Sequence, residues 1–141
     1  MKILLINGPN LNNLGKRDAT FYGSATLPDV VASLIGVANS LNVEIDHFQS
    51  NHEGDIIDSL QAERDSIDGL IINAGALTHY GLSLRDAVLD SKIPLVEVHI
   101  SNIHSRDGYR RHSVVEAVSY THLRAHETLR YLVCRGLVEK K

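Results

Sequence analysis

The sequence predicts an α/β fold, an open parallel sheet with helices on both faces. Apolar runs of strand length alternate with segments of helical period, and the connections between them are short. The first run, Lys2 to Asn7 (KILLIN), is almost entirely aliphatic, as a strand covered on both faces must be. Strand, helix, strand alternation with short loops is the pattern of β-α-β units, because parallel neighbours need a crossover between them.

The elements follow in order. The Lys2 run stops at Gly8-Pro9 and is expected to be the central strand. Thr26 can cap a helix with Pro28 in its first turn, and Leu27, Val30, Val31, Leu34, Ala38 and Leu41 recur on one helical face, ending near Asn42. In VEIDHFQSN, Val43, Ile45 and His47 alternate with polar neighbours and give a second strand. EGDIIDSLQAERD puts Ile56, Ile57 and Leu60 on one side of a helix, and IDGLIINAG is the third strand. SLRDAVLDS is a helix with Leu84, Ala87 and Val88 inward, and IPLVEVHIS is the fourth strand. After Val115 the chain reads EAVSYTHLRAHETLRYLVCRGLVEKK, where His122, Arg124, His126, Glu127 and Arg130 break up the apolar residues. That tail reads as a helix, with Leu123, Thr128, Tyr131 and Leu132 as a weak amphipathic face, so four strands are expected and a fifth is in doubt.

With 141 residues, one domain over 1–141 is expected. The chain is 43% hydrophobic and 22% charged, with a net charge of -3 and 14 Lys+Arg that form no basic block. These values call for neither nucleic acid nor a membrane as partner. The single cysteine, Cys134, cannot close an internal disulfide, and the first apolar run is too short for a leader. No run reaches the roughly 18 to 20 apolar residues that span a bilayer, so a cytoplasmic protein is expected.

In open parallel sheets the ligand crevice lies beyond the carboxyl ends of the strands, where the strand order reverses. The loops that follow the strands are NGPNLNNLGKRDATFYG, QSNHEG, NAGALTHYGLSLRD and HISNIHSRDGYRRHS, and each carries Asn, His or Arg close behind an aliphatic run. None holds a G-x-G-x-x-G or G-x-x-x-x-G-K-[ST], so dinucleotide and P-loop readings fail. Asn7-Gly8-Pro9 offers no acid for a phosphoryl acceptor and no hydroxyl cradle for a flavin phosphate. Of the eight histidines, His99, His104 and His112 lack zinc-ligand spacing, and no metal site is expected.

Taken together these loops resemble the type II 3-dehydroquinate dehydratases. NGPNLNNLGKR, YG, QSNHEG, NAGALTH, LRDA and EVHISNIHSRDGYRRHS stand in family order and spacing from Lys2 to about Ser113. The resemblance implies a flavodoxin-like domain that eliminates water from 3-dehydroquinate to give 3-dehydroshikimate in the shikimate pathway. It also implies no metal, cofactor or Schiff base, and a homododecamer built as four trimers.

Eliminating water β to a ketone needs a base for the α-proton, a stabiliser for the enolate and an acid for the leaving hydroxyl. By family position Tyr22 is the base. A free phenol titrates near 10, so its anion needs a cation beside it, and Arg17 on the same loop is the matching one. Read without the resemblance, Tyr22 is an ordinary loop aromatic. His99 matches the general acid, and Glu97, two residues earlier on the same side of a strand, can orient or charge it. Asn10 matches the residue that holds a water or the enolate oxygen, while Asn12 and Asn13 read as turn formers.

The matches Asn73, His79, Asp86, Ile100, Ser101 and Arg110 imply substrate binding. Arg110 suits a carboxylate clamp because its guanidinium can engage both oxygens. Ile100 and Ser101 would give backbone N–H groups, and Asp86, otherwise an exposed helix charge, would reach a neighbouring subunit's site. Arg106 and Glu53 read as structural supports. The glycine-rich first loop reads as a lid that brings Arg17 and Tyr22 onto the ligand.

Ala19 stands where the family commonly has Pro, and Leu77 and Tyr80 differ from the usual residues, but no reacting group is lost. From about residue 116 to 141 the chain leaves the family pattern, as a terminus of different origin would. The alternative is therefore a flavodoxin-like binding module impaired in catalysis.

Overall fold

Side-chain alternation sorts the aliphatic residues of the sheet between two helix layers. In the computed structural model, which describes residues 1–16, 24–106, 108–119 and the backbone of 121–124, β1 spans Lys2–Asn7. Its Ile3 and Leu5 join Leu34, Ile71, Val96 and Val98 in one buried cluster. Leu4 and Ile6 join Ile56, Leu60, Leu70, Ile72, Leu84 and Leu95 in the other. The first cluster lies under α1 (Leu27–Ser40), the second under α2 (Glu53–Glu63) and α3 (Leu82–Ser91). The expected helices on both faces are thus present.

Helix α1 begins where predicted. Thr26 accepts from the Asp29 N–H while Asp29 accepts from the Thr26 N–H, a reciprocal cap with Pro28 in the first turn. It ends at Ser40, and Asn42 then takes the left-handed conformation (φ 54) that asparagine tolerates just past a helix end.

The strands β2 (Glu44–Gln49), β3 (Gly69–Asn73), β4 (Leu95–His99) and β5 (Thr121–Arg124) complete a parallel sheet in the order β2-β1-β3-β4-β5. Two expectations are corrected here. The central strand is β3, with β1 beside it. An internal strand has neighbours on both sides whichever position it holds, so burial in the sequence cannot distinguish the second place from the third. A fifth strand also exists, Thr121–Arg124 pairing with Val96 to His99, where a helix was expected. Among the described residues β5 lies at the edge of the sheet, and an edge strand, paired on one side only, tolerates the polar residues that argued against it. The rest of the tail, 125–141, lies outside the described residues.

The order 2-1-3-4-5 reverses between β1 and β3, since the chain leaves β1 for β2 on one side and returns to β3 on the other. The two strands end level, Asn7 paired with Asn73, and the Gly8 N–H donates to the Asn73 carbonyl at 2.8 Å. Beyond them the backbones touch. A Cβ on Gly8 would lie 2.5 Å from the Ala74 carbonyl oxygen, and one on Gly75, itself at φ 59, would lie 3.1 Å from that of Pro9. No described helix is long and apolar enough to cross a membrane.

Candidate active site

A cleft of about 210 Å³ opens at this reversal point. Asn10 comes to it from the loop after β1, Asn73 and His79 from β3 and the turn after it, and His99, Ser101 and Arg110 from β4 and the segment beyond. Ile100 also lines it. Three of the four predicted loops therefore converge. The fourth, QSNHEG, stays outside and braces the others: Asn51 Oδ1 accepts the Asn10 N–H at 2.9 Å, and Glu53 Oε1 accepts the Leu84 N–H at 2.9 Å in the first turn of α3. A carboxylate there answers an open N–H and the positive end of the helix together, the supporting role expected for Glu53.

Each wall residue is set by local structure. Asn10 sits at φ 66, in the left-handed region that asparagine tolerates better than other side chains, at the lip of the cleft. Asn73 Oδ1 accepts the Gly75 N–H at 3.2 Å, which turns the amide NH2 into the end able to donate elsewhere. His79 Nδ1 lies 2.7 Å from the His112 carbonyl, so Nδ1 carries a proton. Its buried Nε2 has no hydrogen-bond partner among the described residues. Arg106 also lines the cleft and donates to the Ser101 hydroxyl, so it is both a support and a wall. Arg110 Cζ stands 5.9 Å from the Tyr109 ring, in cation–π range.

A buried carboxylate–imidazole pair lies at the end of β4. Glu97 is fully buried and His99 is 6% exposed, with Nε2 of the ring 3.0 Å from Glu97 Oε1. Burial pushes the Glu97 carboxyl up, but hydrogen bonds from His99, Thr78 and Ser113, together with the charge of His99, outweigh it and hold the group below the ordinary carboxylate value. The carboxylate is therefore ionised, and it fixes the ring as donor at Nε2.

Two predicted residues, Arg17 and Tyr22, lie outside the described residues. Asp86 is on the exposed face of α3, away from the cleft. The sequence reading missed the hydroxyls of Thr78 and Ser113 around Glu97. They end the motifs NAGALT and RRHS, so their place in the motifs was the available signal. Among the described residues no three His, Cys, Asp or Glu side chains group as a metal would require.

The family model for dehydroquinase class II matches residues 1–135. This chain belongs to the class II dehydroquinase family. That match runs past Ser113, where the motif resemblance stops. The chain is 54% identical over 111 residues to the catabolic 3-dehydroquinase of Aspergillus clavatus, covering 79% of this chain and 74% of that protein. It is 49% identical over 119 residues to the 3-dehydroquinate dehydratase of Herpetosiphon aurantiacus, covering 84% and 83%. The crystal structure of type II dehydroquinase from Butyrivibrio crossotus DSM 2876 superposes with a TM-score of 0.85 at 44% identity, covering 89% of this chain and 88% of that one. The flavodoxin-like architecture is common to both.

Proposed function

We propose that this protein is a 3-dehydroquinate dehydratase, a hydro-lyase acting in the shikimate pathway. The observation that carries the reading is the cleft at the strand-order reversal, where an ionised, buried Glu97 is wired to His99 beside Asn10, Asn73, His79 and Arg110. Such a pair suits proton transfer, and membership of the family favours turnover over the non-catalytic alternative.

In the proposed reaction Tyr22, as phenolate held by Arg17, takes the proton α to the ketone. The C–H electron pair moves into the enolate, whose oxygen, or a water bound to it, is held by Asn10. The enolate then collapses, the β C–O bond breaks, and the His99 imidazolium gives its proton to the departing hydroxyl, so that water leaves. Glu97 stabilises the charged ring before transfer. Arg110 holds the carboxylate, with Arg106 adding positive charge to the same wall. Asn73, His79, Ser101 and the Ile100 backbone hold the hydroxyls. The lid carrying Arg17 and Tyr22 would close over this arrangement and exclude water.

A homo-oligomer belongs to the same proposal. The outer face of α3 presents Leu82 (59% exposed) one turn before Asp86 and Leu89 (56% exposed) one turn after it, an apolar stripe on which a second copy can dock. Asp86 would then approach the partner's cleft. A cytoplasmic site of action is part of the proposal, and cell fractionation tests it.

The deciding experiment is the absorbance of the conjugated enone product after 3-dehydroquinate is added to purified protein. Tyr22→Phe should abolish turnover and largely spare substrate binding, and Arg17→Ala should do nearly as much damage. Equal loss of binding and turnover in Tyr22→Phe counts against the assignment.

A further inference from the structure

We propose that Thr78 and Ser113 are positioning residues, acting through Glu97 to hold His99 in its Nε2–H form so that Nδ1 exchanges the catalytic proton; this rests on the dehydratase reading above. The hydroxyl protons can be assigned by counting acceptors. Ser113 Oγ receives the Val115 N–H at 3.1 Å and the Glu116 N–H at 2.8 Å, which fills both of its acceptor positions. Its own proton therefore points outward, to a carboxylate whose oxygens lie 2.9 and 3.0 Å away. Thr78 Oγ1 touches both Ser113 Oγ, at 2.7 Å, and Glu97 Oε1. Ser113 has no room for another donor, so the Thr78 proton goes to Glu97, and the Ser113 proton is shared between the Thr78 oxygen and the carboxylate.

Among the described residues the carboxylate thus gathers three donors: Thr78, Ser113 and the His99 ring. A proton on Glu97 would break at least one of these bonds, which is why a fully buried acid stays charged. An anion at Oε1 requires Nε2–H, and Nε2–H leaves Nδ1 as the atom that trades a proton with substrate.

The same turn fixes more than the acid. The Thr78 carbonyl accepts the Val114 N–H at 2.7 Å, and His79 Nδ1–H donates to the His112 carbonyl at 2.7 Å. These two stitches tie the turn Gly75–His79 to the segment just after Arg110. The orientation of the acid and the placement of the carboxylate clamp are therefore coupled through one short piece of backbone. Among the described residues, the titratable or charged groups around the pair are His99, His79 on the Thr78 turn, Arg106 and Arg110 on the cleft wall, and His104 near Glu116. His122 stands level with Glu97 in the β4–β5 register.

Two measurements test this. Nitrogen NMR of histidine-labelled protein, with His99 assigned from a His99→Asn variant, should find the neutral ring protonated at Nε2 in the wild type. Thr78→Val should admit the Nδ1–H form. In steady-state kinetics Thr78→Val should lower kcat at least about tenfold, a part of the roughly 10²- to 10⁴-fold that a placed general acid contributes, with KM little changed. The acid limb of its kcat profile should move to higher pH, because Glu97 with one donor fewer takes up a proton more readily. Thr78→Ser, which keeps the hydroxyl, should recover most of the rate, and Ser113→Ala should repeat the Thr78→Val pattern. An Nδ1–H ring in the wild type, an unmoved acid limb, or a Thr78→Ser variant as slow as Thr78→Val overturns the proposal. A wild type unable to convert 3-dehydroquinate defeats the dehydratase reading instead, and the NMR result still decides the hydroxyl roles.

Discussion

Glu97 occupies a position on β4 whose neighbour in the sequence pattern, Leu95, packs into the aliphatic cluster under α2 and α3. A carboxylate there survives because Thr78, Ser113 and the His99 ring all turn hydrogen-bonding groups to it. Folded Glu97 titrates below its unfolded value, so it adds stability that is fully present above the ordinary carboxyl range. That contribution disappears as pH falls through the lowered folded value. Melting temperatures of wild type and Glu97→Gln, followed from neutral pH to below 4, should converge in acid. At neutral pH the variant should be less stable by about 1 to 3 kcal/mol, the penalty of leaving buried donors without an acceptor. A parallel pair of curves would mean that Glu97 is not ionised in the fold. His99 was legible in the sequence as a strand-end histidine, and Glu97 as its same-side neighbour. The hydroxyls were not, because Thr78 and Ser113 are separated by 35 positions and meet only when the sheet is built.

The strands and helices up to β4 were readable because each has a period or a cap of its own. Thr26 with Asp29 marks the start of α1, and Ile56 and Leu60 mark the inner side of α2. The edge strand β5 was not readable, since it takes its structure from the β4 backbone more than from its own pattern. The loops after β1 and β3 illustrate the same point through glycine. Gly8 looks like half of a simple Gly-Pro turn, yet the backbone of the other loop lies where its Cβ would go. Gly8→Ala must push Ala74 away, and should destabilise the protein by about 1 to 3 kcal/mol while widening the cleft. Thermal melting checks the first effect, and a rise in the KM for 3-dehydroquinate larger than the fall in kcat checks the second. An alanine variant of wild-type stability would show that the two loops are free to separate.

At the scale of the molecule, the chain orders its strands so that the cleft falls beside the second and third strands of the sheet, and α3 shows its apolar stripe on the outside. If that stripe joins copies, the wild type should elute well above the 15.6 kDa of one chain. Leu89→Lys should then reduce the particle size while leaving the fold's circular dichroism intact. Asp86→Ala should keep the size and lose activity, since Asp86 is far from its own chain's cleft. A monomeric wild type, measured by light scattering, would refute both expectations.

The sequence by itself determined the fold class, the strand ends whose loops line the cleft and the family, because periodicity, caps and motif spacing are local properties that one chain displays in order. Tertiary structure alone decided that β3 is central, that β5 completes the edge, and that two distant hydroxyls converge on Glu97. Those are contacts between segments far apart along the chain, and the pattern of any one segment is compatible with more than one neighbour.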